Sequence, residues 1–175
     1  METKSLVLPI KGISEITNLQ VWDKVLITGK LYLFRDQVHK KIAAGQIEQI
    51  SGLDFSGSGV YYCAATPPKE SFVIGACGPT SSYRMDDYTE SVLKLGFRVM
   101  IGKGYRSKQI VSLCKKYQSV YLITYGGCGA LLNQYVKEMR VVAYEELGTE
   151  AMVCVLVKNF PAYVAIDCFG RKIWK

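Results

Sequence analysis

Several things are scarce in this chain, and each scarcity closes a door. There is one histidine among 175 residues, and the six cysteines at 63, 77, 114, 128, 154 and 168 contain no Cys-x-x-Cys pair. Structural zinc sites draw two ligands from such a short knuckle, so a zinc module is excluded and the expectation is no metal ligand in this chain. Apolar runs such as Val153–Val157 are far shorter than the ~20 residues of a membrane helix. The opening METKSLVLPIKGISEI lacks a basic stretch followed by an apolar one, so no signal peptide is expected. Tyr62-Cys63-Ala64 and Val153-Cys154-Val155 set thiols among apolar neighbours, where they act as small hydrophobes. Reduced, buried thiols in a cytoplasmic protein follow. No five like charges stand in a row; the densest cluster is His39-Lys40-Lys41, too sparse for a nucleic-acid groove.

What is present is enough for a core. Apolar residues make up 49% and charged ones 21% of the sequence, with 12 Tyr and 6 Phe, and one compact domain over residues 1–175 is expected. Subtracting 15 acidic from 22 basic residues leaves +7, which suits an anionic partner. The pattern predicts one bent strand or two strands in Val21–Leu33 around Gly29 and a helix over Asp36–Ala44 stopped by Gly45. Residues 51–59 read as a loop. Further β runs are GVYYCAAT, SFVIGA, FRVMIG, VYLITY, MVCVLV and AYVAI, the last two on either side of Phe160-Pro161. Helices are predicted after Asp86 or Asp87 with a stripe of Tyr88, Val92 and Leu95, after Ser107 with Ile110, Leu113, Cys114 and Tyr117, and over Leu131–Met139. Alternating strand and helix in the middle argue for an α/β fold with a mixed sheet.

Four segments hold more Gly, Arg, Lys and hydroxyl groups than packing requires. Arg35-Asp36-Gln37-Val38-His39 sits at a strand-to-helix junction, where a helix N-terminus favours an anion; taken alone, a helix opened by an acidic residue explains it better. Gly75–Asp86 combines small residues, Thr80, Ser81, Ser82 and Arg84 before a helix start; a capped turn needs only one such group. Arg offers a planar fork that grips a carboxylate twice. Gly102-Lys103-Gly104 ends a strand without the GxxxxGK[ST] of a P-loop, and Tyr125–Ala130 lacks GxGxxG. Ser-His-Asp order and paired catalytic carboxylates are missing too. The set reads as an anion clamp whose bond-making group comes from elsewhere.

In one order the chain carries RDQVHKKI, GPTSSYRMDDY, Gly-Lys-Gly at 102–104, YEELGTEAM at 144–152 and VKNFPAYVAIDCFG at 157–170. Together they resemble the β subunit, or C-terminal domain, of class I iron–sulfur fumarate hydratases and L-(+)-tartrate dehydratases, over nearly the whole length. Where that family often has Gly-Pro after two tyrosines, this chain has Tyr61-Tyr62-Cys63-Ala64-Ala65-Thr66-Pro67-Pro68. The resemblance implies a swivelling β/β/α-type domain, and a hydro-lyase active only with an α subunit. That partner holds the [4Fe–4S] cluster, in an α2β2 heterotetramer acting on a small dicarboxylate, fumarate or tartrate. It implies substrate-binding roles for Arg35, Arg84 and Lys103, and a proton-acceptor role for Thr80 that needs the field of Arg84 or Lys103. His39, one helical turn past Arg35, joins the site on the RDxxH element. A non-catalytic basic domain binding nucleic acid or an acidic protein is the competing reading.

Overall fold

Alternation along the strand Lys24–Leu33 sends Val25, Ile27, Leu31 and Leu33 to one side and Tyr32 to the other, all buried. The same division recurs in the neighbouring strands and yields two apolar layers rather than one. The computed structural model describes residues 2–69 and 72–174. In chain order the elements are β1 (Thr3–Leu8), α1 (Ser14–Thr17), β2 (Lys24–Leu33), α2 (Asp36–Ala43), β3 (Gly59–Tyr61), α3 (Thr89–Lys94), β4 (Val99–Gly102), α4 (Lys108–Tyr117), β5 (Val120–Ile123), α5 (Gly129–Leu132), β6 (Val136–Ala143) and β7 (Met152–Ile166).

The fold is mixed α/β on a seven-stranded mixed sheet. Strands β1 and β3 run parallel to β2, β4 runs parallel to β3, and β5 to β4. The long β7 runs antiparallel to β2, β5 and β6. Because β7 bonds both β2 and β5, the circuit β2-β3-β4-β5-β7 closes on itself. Its interior holds Leu31, Tyr61, Ile101, Leu122, Val157 and Phe160. On the outer side Tyr62, Met100 and Tyr121 pack with Val38 of α2, Val92 of α3 and Ile110 of α4. Each such side chain contributes about 1.5–3 kcal/mol by leaving water.

The predicted α2, α4, β4 and β5 are all present, and Gly45 and Gly96 follow their helices at φ +75° and +111°. Val21–Leu33 resolves to one strand with an irregular register at Gly29, whose φ is +116°. A Cβ there would stand 2.1 Å from the Leu8 carbonyl oxygen, so β1 could not lie so close.

Four expectations are corrected. Of SFVIGA, Ser71 lies outside the described residues and 72–76 form no strand; Gly75 donates to the Thr66 carbonyl (3.1 Å) within an irregular loop. The helix predicted over Leu131–Met139 is α-helical only to Leu132 and continues as a 3-10 turn over Asn133–Tyr135, and Val136–Met139 instead pair with β7, because long-range pairing outweighs weak local preference. MVCVLV and AYVAI are one strand running through Pro161, which lies opposite Leu26 and offers only its carbonyl, bonded by the Thr124 hydroxyl at 2.7 Å. Asp86 does not serve as the simple cap of α3; its carboxylate receives Arg106 and the Ser107 N–H. Strand β1 was not foreseen from the sequence.

Candidate functional site

Strands β2, β3, β4 and β5 all point the same way, so the loops leaving their carboxyl ends share one rim. This is the usual position for ligands on parallel sheets. Those loops begin, in order, the four segments singled out by composition: Arg35 follows β2, Thr80–Arg84 lies between β3 and α3, Lys103 follows β4, and Tyr125–Gly129 follows β5.

Arg35 occupies the cap position of α2, with φ −139° and ψ −141°. Its Nε donates to Glu150 Oε1 at 3.0 Å, and its Nη1 reaches Thr80 Oγ1 at 3.5 Å. Thr80 is buried and donates its N–H to the Tyr62 carbonyl at 2.7 Å, which fixes it at the end of β3. The cation on its hydroxyl is therefore Arg35; Arg84 is committed elsewhere. Arg84 grips Asp36 with two contacts, Nε to Oδ1 at 2.9 Å and Nη2 to Oδ2 at 2.8 Å, while its own side chain stays 46% exposed. The rim thus presents cations whose directions are set by neighbouring carboxylates.

Lys103 is joined to the Thr80 segment through Ser82. The Lys103 N–H donates to Ser82 Oγ (3.0 Å), the Ser82 N–H donates to the Lys103 carbonyl (3.0 Å), and the Tyr121 hydroxyl donates to Ser82 Oγ (2.9 Å). The close seam requires glycine at 102, where a Cβ would stand 1.9 Å from Ser82 Oγ. The fourth loop joins the second through Cys77 N–H to the Gly129 carbonyl at 3.0 Å. All four loops are hydrogen-bonded to a neighbour.

His39 lies beneath this rim rather than on it. It is fully buried, with its ring against Phe34 (4.8 Å) and Tyr62 (5.3 Å) and its Nδ1 on the Arg35 carbonyl at 2.9 Å. The carbonyl accepts, so Nδ1 carries the proton. Burial lowers its pKa to about 4, leaving a neutral ring at neutral pH.

Two side chains without an assigned role in the sequence shape the site. Glu150 belongs to YEELGTEAM, where an acid between Thr149 and Ala151 was the only available signal. Arg106 is buried between the rings of Tyr62 (5.3 Å) and Tyr121 (5.0 Å) and donates to Asp86, the Thr89 hydroxyl (2.7 Å) and the Tyr62 hydroxyl (3.2 Å). It pins the turn Ser82–Tyr88, which carries Arg84, to the entry of α4. Nothing in its local sequence marks it as buried.

All six cysteines are free thiols; Cys63, Cys77 and Cys168 are buried in one apolar layer, Cys114 and Cys154 in the other, and Cys128 is exposed. Cys63 and Cys77 approach to 3.8 Å, and burial pushes the Cys114 thiol up to about 12. Among the described residues, no three His, Cys, Asp or Glu side chains are grouped so as to hold a metal ion. No helix among them is long and apolar enough to cross a membrane. An apolar cleft of about 170 Å³ is lined by Cys63–Pro68, the segment that departs from the resembled pattern, together with Leu33, Thr149 and Ala151.

Fold and rim define a mixed α/β domain with positioned cations at the carboxyl ends of parallel strands. The family model described as Fumarase C-terminus matches residues 2–175, and the chain belongs to that family. It is 36% identical over 172 residues to a Methanocaldococcus jannaschii protein provisionally named L(+)-tartrate dehydratase subunit beta, covering 92% of this chain and 86% of that one. It is 31% identical over 172 residues to the Escherichia coli aerobic class I fumarate hydratase, covering 95% of this chain and 31% of that protein. For fumarate hydratase 2 of Leishmania major the figures are 31% over 164 residues, 91% and 29%. The chain therefore spans about a third of the length of the fumarate hydratases it matches.

Proposed function

We propose that this chain is the β component of a two-component [4Fe–4S] hydro-lyase, a fumarate hydratase converting fumarate and water to L-malate. In this reading residues 1–175 form a single cytoplasmic domain that supplies the cationic half of the substrate site. A separate α subunit holds the cluster, and two copies of each chain assemble. The carrying observation is the convergence of Arg35, Thr80, Arg84 and Lys103, from three different loops, on one rim. The separate-subunit arrangement is supported by the M. jannaschii relative, a subunit by name, of which this chain covers 86%.

Hydration of fumarate moves a proton at a carbon beside a carboxylate, so negative charge accumulates during the reaction. Fixed cations stabilise that charge without having to reorganise, and a guanidinium fork also sets the orientation of a carboxylate. Arg84 and Lys103 take the substrate carboxylates. Thr80 holds or moves the proton; an ordinary hydroxyl is a poor base, and the Arg35 guanidinium beside it favours its deprotonated form. His39 fixes the backbone of Arg35 from below. The cleft walled by Cys63–Pro68 tunes which substituent the substrate carries.

The test is reconstitution. Mixed anaerobically with its α partner, the chain is expected to hydrate fumarate, with turnover destroyed by oxygen and neither component active alone. Turnover by the purified chain alone, or an iron–sulfur chromophore held by its thiols, would sink the proposal. L-(+)-tartrate dehydration is the second reading, favoured by the 36% identical relative; offering both substrates to the same complex decides between them. Salt-sensitive retention on a polyanion that dicarboxylates fail to displace would instead favour a nucleic-acid or acidic-protein binder.

A further inference from the structure

Of the cations on the rim, Arg35 is the one in contact with the Thr80 hydroxyl, and its own side chain is a long, many-rotamer stem. Both of its ends are nevertheless held. Its carbonyl accepts from His39 Nδ1 at 2.9 Å and from the His39 N–H at 3.1 Å, and its Nε donates to Glu150 at 3.0 Å. With Nε on Glu150 and Nη1 on Thr80, Nη2 has no hydrogen-bond partner among the described residues. That N–H group is available to a carboxylate.

Glu150 is delivered by a turn, Glu145–Glu150, that is itself braced on α2 and the residues after it. The Tyr144 hydroxyl donates to the Gln46 carbonyl (2.7 Å), the Tyr144 N–H donates to Gln49 Oε1 (2.7 Å), and Lys41 pairs with Glu146 (3.2 Å). The helix that begins at Arg35 thus also anchors the turn that orients Arg35. An ion pair as exposed as Arg35–Glu150, with side chains 31% and 25% accessible, adds little to stability. What it fixes is direction.

We propose that Glu150 is a positioning residue for the hydro-lyase reaction, holding Arg35 by Nε so that the guanidinium bears on the Thr80 hydroxyl and keeps Nη2 for a substrate carboxylate. The inference rests on the function proposed above. A negative charge beside an anion site opposes ground-state binding, so removing it should not weaken substrate affinity. Loss of orientation should appear in the chemical step.

The experiment uses the reconstituted complex with Glu150→Ala and Glu150→Gln. The expected result for Glu150→Ala is a kcat lower by roughly tenfold or more, a KM unchanged or lower, and an unchanged melting temperature. Glu150→Gln, which keeps an acceptor for Nε, should recover kcat to within about threefold. A Glu150→Ala complex with kcat within about twofold of the parent, or one in which only KM rises, would overturn the proposal. Nitrogen-15 spectra of the same variants give a readout independent of turnover. The Arg35 Nε–H signal should be ordered and slowly exchanging in the parent and in Glu150→Gln and lost in Glu150→Ala; no change would refute the positioning role. A parent complex inactive on both fumarate and tartrate would refute the functional reading, while the spectra would still decide whether Glu150 holds Arg35.

Discussion

Arg106 and Arg84 sit at the two ends of one problem. Each is paired with an aspartate, Arg84 within the turn Ser82–Tyr88 and Arg106 against it, yet their surroundings are opposite. The Arg106 side chain is wholly inaccessible, and its donors are spent on Asp86, Thr89 and Tyr62 between two aromatic faces. Arg84 gives one edge to Asp36 and leaves 46% of its side chain to solvent. A buried guanidinium whose three nitrogens all have partners is an element of architecture; an exposed one can meet a ligand. The first holds the second in place.

The sharpest way to break this contrast is to remove the buried partner. Arg106→Met should destabilise the fold by about 3–5 kcal/mol, because it leaves the Asp86 carboxylate buried and unpaired; urea denaturation reads this, and a loss below ~1 kcal/mol would mean that Asp86 finds water. His39 extends the contrast to a group buried without charge. Its pKa near 4 lies below the ordinary 6.5, so the unfolded chain binds the proton first. Stability should be full above about pH 6.5 and fall by roughly 3 kcal/mol as pH drops towards 4. A His39→Gln variant should lose that part of the pH dependence, as denaturation across the window will tell.

On the ligand-facing side the effects should appear in kinetics rather than folding. Thr80→Ala in the reconstituted complex should lower kcat by about a hundredfold, the span of a lost proton-transfer group, with little change in KM. A rise in KM alone would mean that Thr80 only binds. Arg84→Lys should lower kcat/KM about tenfold, since an ammonium cannot supply the fork, while changing stability by less than ~1 kcal/mol. Equal losses of stability in Arg84→Lys and Arg106→Met would erase the distinction between the two arginines.

Much of the rim is legible in the sequence. Arg35, Thr80, Arg84 and Lys103 stood out because glycine, hydroxyl and cationic residues accumulate where strands end, beyond what a turn or cap requires. Helices α2 and α4 were legible from apolar spacing and stop signals. Two of the misreadings have one cause. Val136–Met139 and Pro161 were assigned from neighbours in sequence, whereas their conformation follows from β7, a strand that pairs with three others. Glu150 and Arg106 escaped because an acid in a turn and an arginine between Tyr105 and Ser107 look like ordinary surface residues.

The residue string alone determined the alternation of layers, the helix ends and the cationic composition of the four loops, since these depend on side-chain period and local backbone preference. Only the tertiary structure decided that β7 closes the circuit, that Arg35 rather than Arg84 meets Thr80, and which arginine is spent inside. Those outcomes depend on contacts between residues far apart in the chain, such as Arg35 with Glu150 and Arg106 with Asp86, whose partners no local pattern specifies.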